Sequence, residues 1–221
     1  GNYLMQNKIV ADIKNIGGPI NTAELEGVPI ITADESMMIY TYVGFKSTGG
    51  KLNEMQQSDP VNGLFRADIY MSLKDSSGTK WGKPQPMKNL NTLGEEAAIA
   101  ISPSGQTLFT FLSSKTNFGD IMVSKLVDNE FSAPVALNGN INTVDYWEGS
   151  CSISADGRFL YFASERPEGL GGRDIWVSEN IDGDWGPAVN MGPNINTPYN
   201  DDAPFIHPDG ITLFFSSQGH Q

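Results

Sequence analysis

Short apolar runs of strand length alternate with polar, turn-rich segments along the whole chain. The clearest run is a five-residue pattern in which Asp-Ile is followed by an aromatic residue or Met, then a variable residue and Ser. It occurs at Asp68–Ser72, Asp120–Ser124 and Asp174–Ser178. Asp120 follows Asp68 by 52 residues, and Asp174 follows Asp120 by 54. A repeat of about 50 residues with strand-type patterning predicts β-propeller blades rather than helical repeats.

Three further elements recur at fixed places in each repeat. An aromatic residue follows each five-residue pattern, at Trp81, Phe131 and Trp185, where it is expected to pack between blades. Each unit then closes on an Ile-Asn-Thr or Leu-Asn-Thr tripeptide: Ile20–Thr22, Leu90–Thr92, Ile141–Thr143 and Ile195–Thr197. Asp-Gly turns between apolar runs, at Asp156 and Asp209, are typical of β-hairpins. Each unit is therefore expected to be a small antiparallel sheet.

We predict one all-β domain over residues 1–221, a β-propeller of four blade units built from repeats of 52 to 54 residues. The units are residues 23–92, 93–143, 144–197, and 198–221 together with 1–22. The chain begins with the back half of a unit and ends with the front half of one. The last blade is therefore either composite, formed by strands from both ends of the chain, or part of a longer array. Closing the ring would remove exposed sheet edges, which favours the composite blade.

Composition narrows the range of partners. The net charge is −12 and the pI is about 4.4, which argues against nucleic acid, because phosphate binding needs a clustered Lys/Arg surface. No apolar run approaches the roughly 18 residues that a membrane span needs. The single cysteine, Cys151, occupies a position otherwise held by Pro or Ile and is expected to be buried. The chain opens on Gly1 rather than Met, which leaves open a targeting segment that has been removed.

A polar excursion from Phe45 to Phe65 separates the second and third strands of the first unit. This segment is predicted to be a long loop, because it contains Gly49-Gly50, Gln56-Gln57 and Asp59-Pro60. Such an insertion can be tolerated surface chain. It can equally be a binding or capping loop. The sequence favours neither interpretation.

One position in the repeat is always acidic. The residue nine places before the hairpin turn of each unit is Glu26, Glu96, Glu148 or Asp201. The first strand of a propeller blade lies nearest the axis, so these four side chains are expected at the strand entrances around the central channel. They are our candidate ligand-binding residues, suited to a cation, a basic peptide or a polyhydroxylated ligand. The structural alternative is that each carboxylate caps backbone N–H groups or pairs with an Arg or Lys of the next blade.

Candidates for catalysis and for a resident metal are scarce. The recurring Asp68, Asp120 and Asp174 are expected to stabilise turns. The chain has two histidines, His207 and His220, which is few for a histidine-based zinc site or a Ser-His-Asp triad. We therefore predict no catalytic residues, no metal site and no cofactor. A Ca²⁺ ion at the acidic positions is the alternative, although no contiguous calcium-loop motif is present.

Together the Asp-Gly turn, the Asp-Ile-Trp/Tyr-x-Ser strand, the Trp-Gly step and Ile-Asn-Thr resemble the TolB-type, WD-like propeller repeat. The resemblance covers the chain from Ile16 onward and is strongest to the repeat of envelope proteins that also carry an OmpA-like domain. It implies a periplasmic or outer-membrane-associated protein that binds another envelope protein or peptide, or acts as a scaffold, without catalysis. The chain has no OmpA-like segment, so peptidoglycan anchoring is not implied. The alternative function is glycan or cation binding at the acidic positions, with glycoside cleavage by paired acids as its enzymatic form.

Overall fold

The computed structural model describes residues 12–114 and 117–220, and all the regular structure in these ranges is β-strand. The strands of the first two units are β1 Leu25–Ile31, β2 Met37–Val43, β3 Lys51–Leu52, β4 Leu64–Phe65, β5 Ala67–Leu73, β6 Gln85–Pro86, β7 Glu95–Ile101, β8 Thr107–Ser114, β9 Asn117–Val127, β10 Glu130–Phe131 and β11 Val135–Ala136. Those of the last two are β12 Glu148–Ile153, β13 Phe159–Ser164, β14 Asp174–Ile181, β15 Asp184–Trp185, β16 Val189–Asn190, β17 Asp201–Ile206 and β18 Leu213–Ser217. No helix capable of crossing a bilayer occurs in the described ranges.

The strands form one antiparallel sheet per repeat. The first sheet has the order β1-β2-β5-β6, and the second has β7-β8-β9 with both β10 and β11 on the outer side of β9. The third repeats this plan with β12-β13-β14 and then β15 and β16, whereas the fourth contains β17 and β18. The Asp-Ile pattern thus forms the third strand of each complete sheet, as the repeat predicts. A separate two-stranded ribbon, β3-β4, lies within the 45–65 excursion.

The hydrophobic core lies between neighbouring sheets. One buried cluster joins the first and second sheets through Ile39, Ile69, Leu90, Leu108 and Phe131, which are 5% exposed or less. A second cluster joins the second and third sheets and contains Phe109, Ile121, Ile141, Cys151, Leu160, Phe162 and Trp185. The predicted packing of the outer-strand aromatics between blades is confirmed for Phe131 and Trp185. The predicted burial of Cys151 is confirmed as well, because its side chain is 4% exposed.

The first strands of successive sheets pack side by side: β1 on β7, β7 on β12, and β12 on β17. Sheets arranged in this way around their innermost strands make a β-propeller, the fold class that the repeat predicts. In the described ranges, β1 and β17 do not pack on one another to a comparable extent, so the four inner strands trace an arc.

The composite last blade stays a prediction. Residues 1–11, on which most of it rests, lie outside the described ranges, and residues 12–16 form no strand. Within the described chain, β18 pairs with β17 alone.

Candidate functional site

The four acidic residues occupy equivalent places at the start of the inner strands. Each acid lies opposite a residue of the second strand of the same sheet. The pairs are Glu26 with Tyr42, Glu96 with Leu112, Glu148 with Ser164, and Asp201 with Ser217. In every inner strand an irregularity in the register follows within a few residues. The four acids are therefore the first or second residues of their inner strands.

Each acid binds the threonine of the tripeptide that precedes it. The Thr22 hydroxyl donates to Glu26 at 2.5 Å, and the Thr92 hydroxyl donates to Glu96. Glu148 accepts from the Thr143 backbone N–H at 2.9 Å and from its hydroxyl at 2.8 Å. Asp201 likewise accepts from both groups of Thr197, at 2.5 and 2.9 Å. The acids therefore cap the turn that leads from one blade into the next, which is the structural role considered for them.

The asparagine of the tripeptide faces the opposite way and holds the third strand of the preceding blade. Asn91 accepts from the Ile69 N–H at 2.7 Å and donates to the Ile69 carbonyl at 3.1 Å. Asn142 makes the same two bonds to Ile121, both at 2.9 Å. Asn196 makes them to Ile175, at 2.7 and 2.9 Å. The tripeptide thus ties the third strand of one blade to the inner strand of the next.

Glu148 lies in a neutralised network. It is fully buried, accepts from the Ser164 hydroxyl at 2.7 Å, and lies 3.6 Å from Arg166 Nη2. Burial raises the pKa of Glu148, while its hydrogen bonds and the charge of Arg166 act in the opposite direction. Arg166 also donates to the carbonyl oxygens of Asn140 and Ile141. This guanidinium closes the junction between the second and third blades.

The junction between the first and second blades has a different electrostatic character. Glu96 is 2% exposed and Asp68 is fully buried. Within the described chain, Glu96 Oε2 and Asp68 Oδ1 have no hydrogen-bond partner. Burial is the main cause of a raised pKa at both carboxyls, and the charge of Asp68 raises the pKa of Glu96 further. Two buried carboxyls therefore share this junction.

The acidic residues do not come together as a metal site. Among residues 12–114 and 117–220, no three His, Cys, Asp or Glu side chains are grouped so that they could hold a metal ion. Glu26 is half-buried and is the most accessible of the four acids. A ligand approaching the strand entrances would therefore meet Glu26 before it could reach Glu96, Glu148 or Asp201.

The expectation that the third-strand aspartates stabilise turns is confirmed for two of them. Asp68 Oδ2 accepts from both the backbone N–H and the hydroxyl of Thr48, at 2.7 Å each. Asp174 accepts from the backbone N–H groups of Leu170 and Gly171 and from the Asn190 side chain. In each case the aspartate holds the connection that leads into its own strand.

The 45–65 excursion is a folded lobe, which the sequence did not reveal. The β3-β4 ribbon pairs Lys51 with Phe65 and Leu52 with Leu64. The Lys51 ammonium donates to the carbonyl oxygens of Pro60 and Val61, at 3.3 and 2.9 Å. Large apolar side chains nevertheless point outward from this lobe: Phe45, Met55, Val61 and Leu64 are 63 to 76% exposed. Two-residue strands carry no periodic signal, so sequence patterning could not find the ribbon.

Comparison with known proteins shows the fold. No protein-family model and no curated protein matches the sequence. TolB from Acinetobacter baumannii is similar over 89% of this chain and 39% of its own length, with TM-score 0.57 and 16% identity. A TolB-type protein from Agrobacterium tumefaciens is similar over 88% of this chain and 70% of its own, with TM-score 0.51 and 18% identity.

A gluconolactonase from Xanthomonas campestris is similar over 86% of this chain and 53% of its own length, with TM-score 0.48 and 16% identity. The chain spans well under two thirds of the length of the Acinetobacter protein. At such identities, likeness to a solved structure concerns architecture and does not carry an activity with it. The chain is a β-propeller, and TolB proteins are among its structural neighbours.

Proposed function

We propose that this chain is a non-catalytic propeller module of the bacterial cell envelope that binds another envelope protein or peptide. The single observation that carries the proposal is the 45–65 lobe, which is held in a defined conformation and presents large apolar side chains to solvent. The resemblance of the repeat to TolB-type propellers and the TolB structural neighbours support the envelope setting, either periplasmic or associated with the outer membrane.

The lobe has the features of a preorganised contact surface. Four large apolar side chains are exposed within this one segment, and apolar surface that is concentrated in one place marks protein interaction sites. The anchoring of Thr48 on Asp68 and of Lys51 on two carbonyl groups fixes the lobe before any partner arrives. Binding then orders fewer residues, and more of the energy from apolar burial remains as affinity.

The acidic positions support a binding module better than an enzyme. A pair of carboxyls that cleaves a glycosidic bond must face the substrate from both sides. Glu96, Glu148 and Asp201 are 2% exposed or less, and each receives hydrogen bonds from a threonine of the adjoining turn. The glycan- or cation-binding alternative therefore rests mainly on Glu26.

The test compares two pairs of valine and leucine substitutions. Val61→Ser with Leu64→Ser removes apolar surface from the lobe, and Val135→Ser with Val189→Ser removes a similar amount from strands β11 and β16, where both side chains are also more than 60% exposed. Tagged proteins are incubated with bacterial envelope extract, and captured proteins are quantified by mass spectrometry. We expect a defined partner to be lost with the lobe variant and retained with the control.

Three outcomes would contradict the proposal. Capture of the same proteins by both variants would show that the lobe is not the contact surface. A rise in the thermal midpoint with Ca²⁺ or with a glycan, abolished by Glu26→Gln, would favour the alternative function at the acidic positions. Hydrolysis of aryl glycosides that is lost in Glu148→Gln would restore the enzymatic form of that alternative.

A further inference from the structure

A groove of about 790 Å³ lies between the 45–65 lobe and the second sheet. The lobe contributes Glu54 and Gln56 to its lining, and Arg66 lies where the chain leaves the lobe. The opposite wall consists of residues 92–95 and 112–113 of the second unit. Ligand sites in proteins have volumes of about 300–1,000 Å³, so this groove is large enough to hold several side chains of a partner.

Hydrogen bonds across the groove join the lobe to the second sheet. Arg66 Nη1 lies 2.6 Å from Glu95 Oε1, and the other oxygen of Glu95 accepts from the Ala67 N–H at 3.0 Å. The Gln56 amide lies between Arg66 and Leu93. In the orientation that suits both neighbours, its nitrogen donates to the Leu93 carbonyl oxygen at 3.2 Å and its oxygen accepts from Arg66. These contacts fix the shape of the groove before a ligand enters it.

The charge that remains for a ligand in the groove is negative. Glu95 neutralises Arg66, whose remaining donor, Nε–H, is buried and out of reach of a ligand. Glu54 is exposed and forms no ion pair within the described chain. The Thr92 hydroxyl, which also lines the groove, donates to the buried carboxyl of Glu96, and that carboxyl adds negative charge when it is ionised. The groove is therefore complementary to a cationic side chain.

Apolar side chains are exposed at both walls of the groove. Leu93, on the side of the second sheet, is 60% exposed, and Met55, between the lining residues Glu54 and Gln56, is 70% exposed. Apolar surface at these positions favours a ligand with apolar side chains of its own, because contact between them removes both surfaces from water. A peptide can supply apolar and cationic side chains together, whereas a polyhydroxylated ligand supplies neither.

We propose that this groove binds a short segment of the partner protein in which a Lys or Arg is flanked by apolar residues. The basic side chain pairs with Glu54, and the apolar side chains pack against Met55 and Leu93. This inference rests on the proposed function, because it names the chemistry of the segment that the lobe binds.

The experiment uses a set of dye-labelled peptides with the sequence Gly-Ser-X-Lys-Z-Ser-Gly, in which X and Z are Leu, Ile, Val or Phe. A second set has Glu in place of Lys. Each peptide is titrated with the full chain at about 0.15 M salt, where interactions between exposed charges more than about 8 Å apart are largely screened. Binding is followed by fluorescence anisotropy. We expect members of the Lys set to bind saturably and to slow hydrogen exchange at residues 53–57 and 92–95. Their Glu counterparts should bind about tenfold more weakly or not at all.

Matched variants locate the site on the protein. Glu54→Lys should weaken binding of the Lys peptides about tenfold. Glu130→Lys changes the net charge equally at an exposed position of β10 outside the groove, and it should leave binding within about twofold of the parent. Leu93→Ser should weaken binding several-fold. Leu73→Ser, at the far end of β5 from Arg66 and 51% exposed, should not.

The proposal is overturned if no Lys peptide binds, if the Lys and Glu sets bind equally, or if Glu130→Lys weakens binding as much as Glu54→Lys. A rise in the thermal midpoint with maltotriose or chitotriose that Leu93→Ser abolishes would assign the groove to a glycan instead. A dimer in solution that Glu54→Lys dissociates would assign it to a second copy of the chain. Failure of every peptide, together with a captured partner that is still lost with Val61→Ser and Leu64→Ser, would reject the basic segment but retain the lobe as the contact surface.

Discussion

At the junction between the first and second blades, we expect replacement of a buried acid to raise the stability of the fold, which is opposite to the usual effect of such a substitution. Glu96→Gln keeps an oxygen that can accept from the Thr92 hydroxyl but removes the negative charge beside Asp68. Because Glu96 is 2% exposed and one of its oxygens has no partner in the described chain, its charge is a cost to the folded state at neutral pH. The substitution should therefore stabilise the protein.

The size and the pH dependence follow from the same contacts. Gln carries no charge to desolvate, and each unit by which burial raises the pKa of a carboxyl corresponds to about 1.4 kcal/mol, so Glu96→Gln should raise the free energy of unfolding by roughly 1 kcal/mol or more at a pH where Glu96 is ionised in the folded protein. Burial raises the pKa of Glu96 from the value of 4.5 that it has in the unfolded chain. The folded state therefore keeps a proton that the unfolded state has released, and stability falls as pH rises from about 4.5 through the folded-state pKa. The advantage of the variant should accordingly be small near pH 4.5 and should grow as the pH rises through the folded-state pKa of Glu96.

Urea denaturation followed by tryptophan fluorescence at a series of pH values measures this directly. Each 1 kcal/mol corresponds to about 2–4 °C in the thermal midpoint for a chain of this size. Glu95→Gln is the matched control, because the neighbouring carboxylate is 39% exposed and pairs with Arg66, and such a pair contributes about 0–1 kcal/mol. A Glu96→Gln protein that is less stable at pH 8, or whose difference from the parent does not vary with pH, would refute the reasoning.

Three further predictions concern the other junctions. Arg166→Met should destabilise the protein by about 3–5 kcal/mol at pH 7, because it leaves Glu148 buried without its charge partner and removes the bonds to the carbonyl oxygens of Asn140 and Ile141; an unchanged urea midpoint would count against the network. Asn196→Ala should lower the free energy of unfolding by about 1–3 kcal/mol and speed hydrogen exchange at the Ile175 amide. Unchanged slow exchange there would show that the two hydrogen bonds from Asn196 to the Ile175 backbone are dispensable. Burial raises the pKa of the Cys151 thiol, so a thiol reagent should label it only in denaturant, and rapid labelling of the folded protein would contradict its position in the core.

The amount of the fold that could be predicted depended on what the repeats share. The third strands and the hairpins appear in every copy, so alignment of the copies located them. The link from Thr22 to Glu26 was also visible in principle, because every acid follows a tripeptide threonine by four or five residues. Arg166 could not be found in this way, since the equivalent positions in the first and fourth units are Gly44 and Gly219. A contact made in one copy alone depends on three-dimensional packing, which alignment of the copies does not report.

The Asn-Thr pairs that join successive blades have a practical consequence for engineering. The asparagine is hydrogen-bonded to the preceding sheet, and the threonine is hydrogen-bonded to the acid at the start of the next inner strand. The boundary between sequence units is therefore also the place where successive sheets are most strongly linked. Shortening or lengthening the array by whole repeats should succeed when the cuts fall in the exposed hairpin turns, such as Asp156-Gly157. The same number of repeats cut after a threonine should give a protein that fails to fold cooperatively.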